Sequence, residues 1–467
     1  MTDNEIDNTK NINLPGDVRL VLFRLKKRGL KPFIVGPAVR DLVATGSAEK
    51  SPRVDMMVIA PSLQEIDRAL DGAAVSQFFL SRPERVRRSL AFNVQNAEDG
   101  TIIRKVVVQE IPSMEGLHDE LFRREVTVNA MAVSDEGELI DPFDGCRDVE
   151  LRQIRPVQPA NVAFTTKPLN IVKMGKHVAY HGYQASPETL EWAYRQSSSI
   201  LDVPMDRLRP EFERLLVNLY PDMGLDFLEK AGVLKFILPE VQSMVGFDDS
   251  CHVHHKDIWD HTKKVVARSK SLLAIRWAAL LHDIGKVWTR SVDERNNVHF
   301  FRHEELSAFL FRGIAARFYI DDRLAERIYF LVGNHSRINM YTTEWTDSAI
   351  RRVVKEIGDY LDDLLNLSRA DITSRQERRV EELTGLLDEL EMRIKILKEE
   401  DARQPALPKG IGNAIMEHFG LEPGPLVGQL RAALEAAVED GTIKPGLEIP
   451  EYLEFVHAYI HKKGKEG

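Results

Sequence analysis

The stretch IRWAALLHDIGK (275–286) decides how the larger part of this chain folds. Its apolar residues recur at the helical period, and Gly285 stands where a helix stops. His282 and Asp283, adjacent at that helix end, put an imidazole beside a carboxylate, two strong ligands for a divalent ion. Upstream, HKDIWDH (255–261) leads into a further amphipathic helix that carries His261. Downstream come His303 in FFRHEELSA, His335 in LVGNHS and Asp371 in LSRADITSR, each on a helix-like stretch of its own. A lone histidine on an apolar helix is more often packed or exposed than a ligand, so it is the joint occurrence that carries the signal. His252, His254, His177, His181 and His299 have no such company and are read as structural.

Working outward, 467 residues exceed the ~250 to 300 that one core usually spans, which calls for at least two domains. Hydrophobic content of 43% and charged content of 29% fit a soluble globular protein. No apolar run approaches the ~20 residues a membrane helix needs, so no membrane association and a cytoplasmic location are expected. The first fourteen residues, MTDNEIDNTKNINL, are polar where a secretory signal is basic and then apolar, and they read as a loose tail. Two cysteines, Cys146 and Cys251, exclude a disulfide framework and a cysteine-rich zinc site, which leaves histidine and carboxylate as metal ligands. A formal charge of −9 argues against wholesale coating of nucleic acid but leaves room for a local basic surface.

From about residue 18 to 150 short β-rich runs (FIVG at 33–36, VDMMVIA at 54–60, IIRKVVVQEI at 102–111) alternate with helical stretches, which predicts a small α/β or α+β domain. Beyond residue 160 the apolar spacing is helical almost throughout. In 376–400, Val380, Leu383, Leu387, Leu390, Ile394 and Leu397 alternate by threes and fours; this fits a long amphipathic helix packed on its own bundle, or a hairpin or dimer seam. Two prolines and a glycine in DARQPALPKG (401–410) then break the helix, and a small C-terminal helical unit begins near 411.

Four segments of the first domain, taken in order, are more specific than any one alone: FIVGPAVRD (33–41) with Arg40 and Asp41, VDMMV (54–58) with Asp55, RREVTVNA (123–130) with Arg123 and Arg124, and IDPFDG (140–145). Together they resemble the class II tRNA CCA-adding enzymes and bacterial poly(A) polymerases, whose motifs run GGxVRD, DxD, RRDFTxNA and DPFxG. In that family the two DxD carboxylates hold two ions that activate the RNA 3′ hydroxyl and stabilise the leaving pyrophosphate. Strand positions i and i+2 share one face, which is why the pair is separated by one residue. Here the matching pair is Asp55 and Met57, and a thioether is a poor ligand for magnesium. Pro37 replaces the second glycine, Glu125 replaces the RRDFTxNA aspartate, and the nucleotide-selecting EDxxR falls on Thr166-Lys167-Pro168-Leu169-Asn170.

The resemblance therefore implies a vestigial nucleotidyltransferase site at Arg40, Asp41, Asp55, Arg123 and Arg124. Asp55 is either a remaining metal ligand or a salt-bridged carboxylate at a strand end. Arg123 and Arg124 either contact phosphate or form a solvated helix start paired with Glu125. Glu110 and Asp67 are conceivable replacements for the missing carboxylate. Lys167, Lys173 and Lys176, at helical spacing, are candidate contacts to an RNA backbone, or simply a wet helix face.

The downstream histidines and aspartates resemble the HD superfamily of phosphohydrolases, and HHKDIWDHT, AALLHDIGK, HFFRHEELSA and ADITSR match the HD domain fused to some bacterial CCA-adding enzymes. The resemblance implies that His261, His282, Asp283 and Asp371 ligate one ion, with His303 and His335 serving a second ion or the substrate phosphate. Asp283 and Lys286 are the candidate catalytic groups, Lys286 as a phosphate contact or proton donor unless it is only an exposed lysine after a helix stop. Asp257 either orients His261 or starts its helix. The segment 407–443 resembles the family's C-terminal helical part, which holds the tRNA elbow.

The expected architecture is a loose tail (1–17), an α+β nucleotidyltransferase-like N-terminal head (18–155), an all-α, RNA-binding-like neck (156–245), an HD domain (246–375) and a C-terminal helical tail (376–467). The expected activity is metal-dependent phosphohydrolysis of a phosphomonoester or 2′,3′-cyclic phosphate on a nucleotide or RNA end, with manganese, nickel or magnesium as the ion. The partners are tRNA or another RNA 3′ end and a nucleotide substrate. The alternatives are a still-active tRNA 3′-end nucleotidyltransferase with a substituted metal site, and a non-catalytic tRNA-binding regulator.

Overall fold

Arg53–Ile59 forms an inner strand, β2, because its apolar and β-branched residues let Val54, Met56 and Val58 line a fully buried face. β2 runs antiparallel to β1 (Lys31–Val35) and parallel to β7 (Ile102–Ile111). Around them β3 (Ala74–Val75), β4 (Phe78–Leu80), β5 (Glu84–Val86), β6 (Ser89–Asn96), β8 (Ala132–Ser134) and β9 (Leu139–Ile140) complete a nine-stranded mixed sheet in the order β3-β4-β6-β7-β2-β1-β8-β9, with β5 on β6. The computed structural model describes residues 14–70, 74–75, 78–80, 84–86, 89–96, 98–247, 257–374, 376–403 and 407–466. The first thirteen residues, Cys251, His252, His254 and His255 lie outside the described residues.

The chain divides into two units, Met1–Val245 with Ala316–Tyr319, and Gly246–Ala315 with Ile320–Gly467. In the first, the sheet is followed by helices. Leu169–His181 packs on Met205–Leu216 and Pro221–Lys230. This close crossing depends on two glycines: a Cβ at Gly224 would lie 2.9 Å from the Gly175 carbonyl oxygen, and one at Gly175 would lie 3.0 Å from a Leu215 methyl.

Among the described residues the second unit is helical apart from a hairpin of β12 (Arg290–Val292) and β13 (Val298–Phe300); the short parallel pair β10 (Gln153–Ile154) and β11 (Gln184–Ala185) belongs to the first. Leu273–Leu281 is buried all round, with Ile275, Trp277, Ala278 and Leu280 in the core, and packs against Ile258–Arg268, Asp322–Asn334 and Leu361–Asp371. Glu377–Arg403 is the long amphipathic helix expected at 376–400. It buries Leu387, Leu390, Ile394 and Leu397 within its own unit, where Arg393 donates to Asp347 at 2.6 Å. Ile411–Phe419, Pro425–Glu439 and Ile449–Glu466 enclose a separate small core of Ile415, Leu434, Tyr452 and Val456. No helix among the described residues is long and apolar enough to cross a membrane.

Candidate metal centre and altered head

Five helices bring the downstream histidines and aspartates together. His261 comes from Ile258–Arg268, His282 and Asp283 from the end of Leu273–Leu281, His335 from the end of Asp322–Asn334, His303 from the start of His303–Arg317 and Asp371 from the end of Leu361–Asp371. Each histidine uses Nδ1 away from the centre. His282 bonds the Ala279 carbonyl at 2.9 Å, His303 that of Phe300 at 2.9 Å and His335 that of Val332 at 2.8 Å, while His261 faces the Thr373 hydroxyl at 2.7 Å. All four Nε2 atoms are thereby turned inward, the arrangement in which a partner on one ring nitrogen orients the other toward a metal.

Inside, Nε2 of His261 and His282 approach to 3.2 Å and Nε2 of His303 and His335 to 3.3 Å. Asp283 stands between the pairs. Its Oδ2 lies 3.5 Å from His261 and 3.3 Å from His282, and its Oδ1 lies 3.6 Å from His303 and 3.7 Å from His335. Asp371 Oδ1 closes the first group at 3.1 Å from His261. Asp283 Oδ1 is buried with no hydrogen-bond partner, which fits a divalent cation beside it. The donor atoms form two groups, His261/His282/Asp283 and Asp283/His303/His335, so a single carboxylate can serve two ions.

The electrostatics agree. Burial alone would depress the His282 imidazolium, but the Asp283 and Asp371 carboxylates override it and push its pKa up to about 10. Burial, together with the charge on His282, pushes His335 down to about 4. Burial opposes ionisation of Asp283 as well, yet His282 and Lys286 hold it well below the usual carboxylate range. An ion entering the first group must displace the His282 proton, so its affinity falls as pH falls.

Lys286 Nζ donates to Asp283 Oδ2 at 2.7 Å, so it is tied to the centre rather than left in solvent. Asp257 accepts from the Trp259 backbone at 2.8 Å and caps the helix; it does not orient His261. That task falls to Thr373, in the ADITSR segment but unremarkable as a residue type in a loop. His299, read as structural, pairs with Asp293 at 3.0 Å.

The head differs. Asp55 is bound by Arg53 at 2.7 Å, the salt-bridged alternative. Met57, on the same face, is 4% exposed and packs with Phe33, Val35, Ile111, Leu117, Leu121 and Ala132. Neither replacement carboxylate reaches that face: Glu110 registers with Val58 and so faces the other side, while Gln109 sits beside Met57, and Asp67 is exposed on Leu63–Leu70. Among the described residues, no group of three metal-donor side chains forms in the head. The residues present do not fit a two-carboxylate metal site.

Arg40 pairs with Asp41 at 2.6 Å and donates to Asn129 at 3.1 Å. Arg123 pairs with Glu120, and Arg124 is buried against Gly36, so neither forms the expected pair with Glu125. Glu125 instead gathers His177 at 2.7 Å, Lys173 at 2.7 Å and Lys176 at 3.2 Å. The three lysines do not share one helix face as their spacing suggested. Lys167 is exposed at the end of Ala160–Thr166, whereas Lys173 and Lys176 lie on the next helix and are engaged by Glu125. Asn170 bonds the Ala163 carbonyl at 3.1 Å, a backbone role at the position of the base-reading arginine.

The hydrogen bond from His177, with the charges of Lys173 and Lys176, holds the Glu125 carboxyl far below its ordinary 4.5. A depressed folded pKa contributes stability that is complete above the ordinary value and lost as pH falls below it. Glu125→Gln is expected to lower stability by about 1–2 kcal/mol at pH 7, a modest figure because the carboxylate is partly solvated. The gap from the wild type narrows as pH drops below 4.5, which urea titrations at several pH values will read.

Three family models match stretches of the chain. The Poly A polymerase head domain matches residues 32–155, the probable RNA and SrmB-binding site of polymerase A matches 182–244, and the HD domain matches 257–376. The A-adding tRNA nucleotidyltransferase of Deinococcus radiodurans is 30% identical over 341 residues, 70% of this chain and 76% of that protein. The Multifunctional CCA protein of Pseudomonas fluorescens is 33% identical over 350 residues, 71% of this chain and 80% of that one. In fold the chain is similar to the Bacillus stearothermophilus CCA-adding enzyme in complex with CTP, with a TM-score of 0.60 at 19% identity over 97% of this chain and 98% of that one. It is also similar to the Thermotoga maritima CCA-adding enzyme complexed with tRNA, with a TM-score of 0.56 at 17% identity over 95% and 94% of the two chains. The chain belongs to the CCA-adding tRNA nucleotidyltransferase family, with a nucleotidyltransferase-like head, a helical region and an HD domain.

Proposed function

We propose that this protein is a tRNA 3′-end enzyme, organised as the five segments set out from its sequence, except that the head takes in the end of the expected loose tail, since Leu14 is buried, Gly16–Lys27 is a helix and Asp17 pairs with Arg104 at 2.7 Å. Nucleotidyl transfer is the activity for which its relatives are named, and those names weigh for it over phosphohydrolysis as the working activity. The tRNA and nucleoside triphosphates in the solved structures of similar fold supply the corresponding partners. Transfer in this chain would rely on Asp55 as the one carboxylate on its strand face, since Met57 and Gln109 offer none.

Phosphohydrolysis at the HD centre is the second reading, and one observation carries it: four inward Nε2 atoms arranged about the two oxygens of Asp283. Four imidazoles with two carboxylates suit manganese or nickel better than magnesium. Ions bound there would lower the pKa of a water and neutralise phosphoryl charge. Asp283 and Asp371 would hold those ions with the four histidines, and Lys286, which donates to Asp283 Oδ2 at 2.7 Å, would add a positive charge beside them for a phosphate. On a 2′,3′-cyclic phosphate, the water oxygen bonds to phosphorus, one P–O(ribose) bond breaks and that ribose oxygen takes the proton.

The intact mass of a tRNA lacking its CCA end, with either a free 3′ hydroxyl or a 2′,3′-cyclic phosphate, separates the activities when manganese-loaded protein, ATP and CTP are supplied. Growth of the hydroxyl-ended copy by C or A masses, lost in Asp55→Ala, is the result expected of transfer. Addition of water to the cyclic end without nucleotides, lost in Asp283→Ala, is that expected of the HD centre. A tRNA unchanged in both arms rules out both activities and leaves a binding role.

A further inference from the structure

We propose that Asn339 and Glu304 are positioning residues of the HD centre, linked through the short segment that follows His335, and that each supports a different one of its two donor groups. This rests on the metal reading of the centre given above and goes past it to what aims the ligands. Asp371 ends its helix with its side chain 22% exposed, so packing alone does not fix its carboxylate. Nδ2 of Asn339 donates to Asp371 Oδ2 at 3.1 Å. That leaves Oδ1 facing Nε2 of His261 at 3.1 Å and of His282 at 3.6 Å. Asp283 needs no such help, being buried and bonded to Lys286.

The second group is supported from the same segment. Ser336 Oγ donates to Glu304 Oε1 at 2.6 Å, and Glu304 Oε2 stands 3.2 Å from Nδ1 of His303. A carboxylate beside the outer ring nitrogen of a metal-binding histidine fixes the ring and makes its Nε2 a better donor. The segment itself is pinned, because Ile338 and Tyr341 are buried and the Tyr341 hydroxyl donates to Glu389 at 2.7 Å. Asn339, between them, is exposed and adds nothing to the core, so the bond to Asp371 is the contact through which it acts. The chain from His335 to Asn339 thus serves both groups: it supplies one ligand, steadies His303 through Ser336 and Glu304, and aims Asp371.

Cobalt titration of the full chain, followed by visible absorption and by calorimetry, tests this without any need for turnover. The wild type is expected to bind two ions, one at each donor group. Asn339→Ala weakens one of them about tenfold and Glu304→Gln, which keeps an acceptor for Ser336, weakens the other by a similar factor, the scale for losing an outer partner of a metal ligand. Paired variants separate aiming from general damage. Once Asp371→Ala has removed the carboxylate, Asn339→Ala should change cobalt affinity no further, and Glu304→Gln should add nothing to His303→Ala. The thermal midpoint of the metal-free protein is expected to be the same in Asn339→Ala as in the wild type. Equal weakening with and without the ligand that a residue aims, or an affinity that its substitution leaves unmoved, overturns that residue's role. If the wild type binds a single ion, the two-ion arrangement fails by itself. Asn339→Ala weakening that ion only while Asp371 is present then upholds the aim of Asp371, and unchanged affinity overturns it. No cobalt uptake at all would instead remove the metal reading, and the positioning roles with it.

Discussion

Asp283→Ala is expected to empty the HD centre of metal and to lower phosphohydrolysis by at least about a thousandfold, because among the described residues no other offers an oxygen to both histidine pairs. The same substitution removes the counter-charge that holds the His282 imidazolium, whose pKa near 10 depends on Asp283 and Asp371. In the variant His282 becomes easier to deprotonate, yet a pair of imidazoles with one carboxylate at their edge binds an ion more weakly than the complete set. Metal content after dialysis measures the first effect, and hydrolysis of a cyclic phosphate end the second. Asp283→Asn separates charge from shape, since it keeps the side-chain volume but carries no negative charge. Full metal content in both variants would mean that Asp283 is a buried structural anion for His282 and Lys286, and the two-ion reading would fall.

That centre was legible in the sequence because its members declare themselves by type and order. Six of the residues singled out, His261, His282, Asp283, His303, His335 and Asp371, come within contact distances of one another. Their partners were less legible. Asp257 had the residue type of an orienting carboxylate but serves its own helix, while Thr373, 112 residues along the chain from His261, supplies the bond to its ring. In the head, Arg123 and Arg124 precede Glu125 directly, and neighbours in sequence suggested an ion pair. The carboxylate is instead taken by Lys173, Lys176 and His177, 48 to 52 residues further on. Short-range spacing predicts partners well only on one helix or strand face; pairing across elements depends on packing that periodicity does not encode.

Met57→Asp is the sharpest probe of the head, because it restores the spacing of a carboxylate pair in a place that has been packed for a thioether. Met57 is 4% exposed, ringed by Phe33, Val35, Ile111, Leu117 and Leu121, and it shares its strand face with Asp55. Arg53 is already paired with Asp55, and Gln109 on the neighbouring strand carries no charge, so neither of these two neighbours offers a new carboxylate a free cation. The expected result without divalent ions is a loss of about 3–5 kcal/mol, the scale for an uncompensated buried charge. Met57→Leu, apolar and of similar volume, should cost less than about 1.5 kcal/mol. With magnesium present, the aspartate variant should regain part of its midpoint, because an ion that binds only the folded carboxylate pair stabilises it by mass action. Nucleotide addition to tRNA then reads the consequence for function. A rise in transfer over the wild type assigns the head's weakness to this one side chain. Transfer by the wild type that Met57→Asp does not raise, with a midpoint that magnesium does not move, would mean that Asp55 works without a paired carboxylate on its strand.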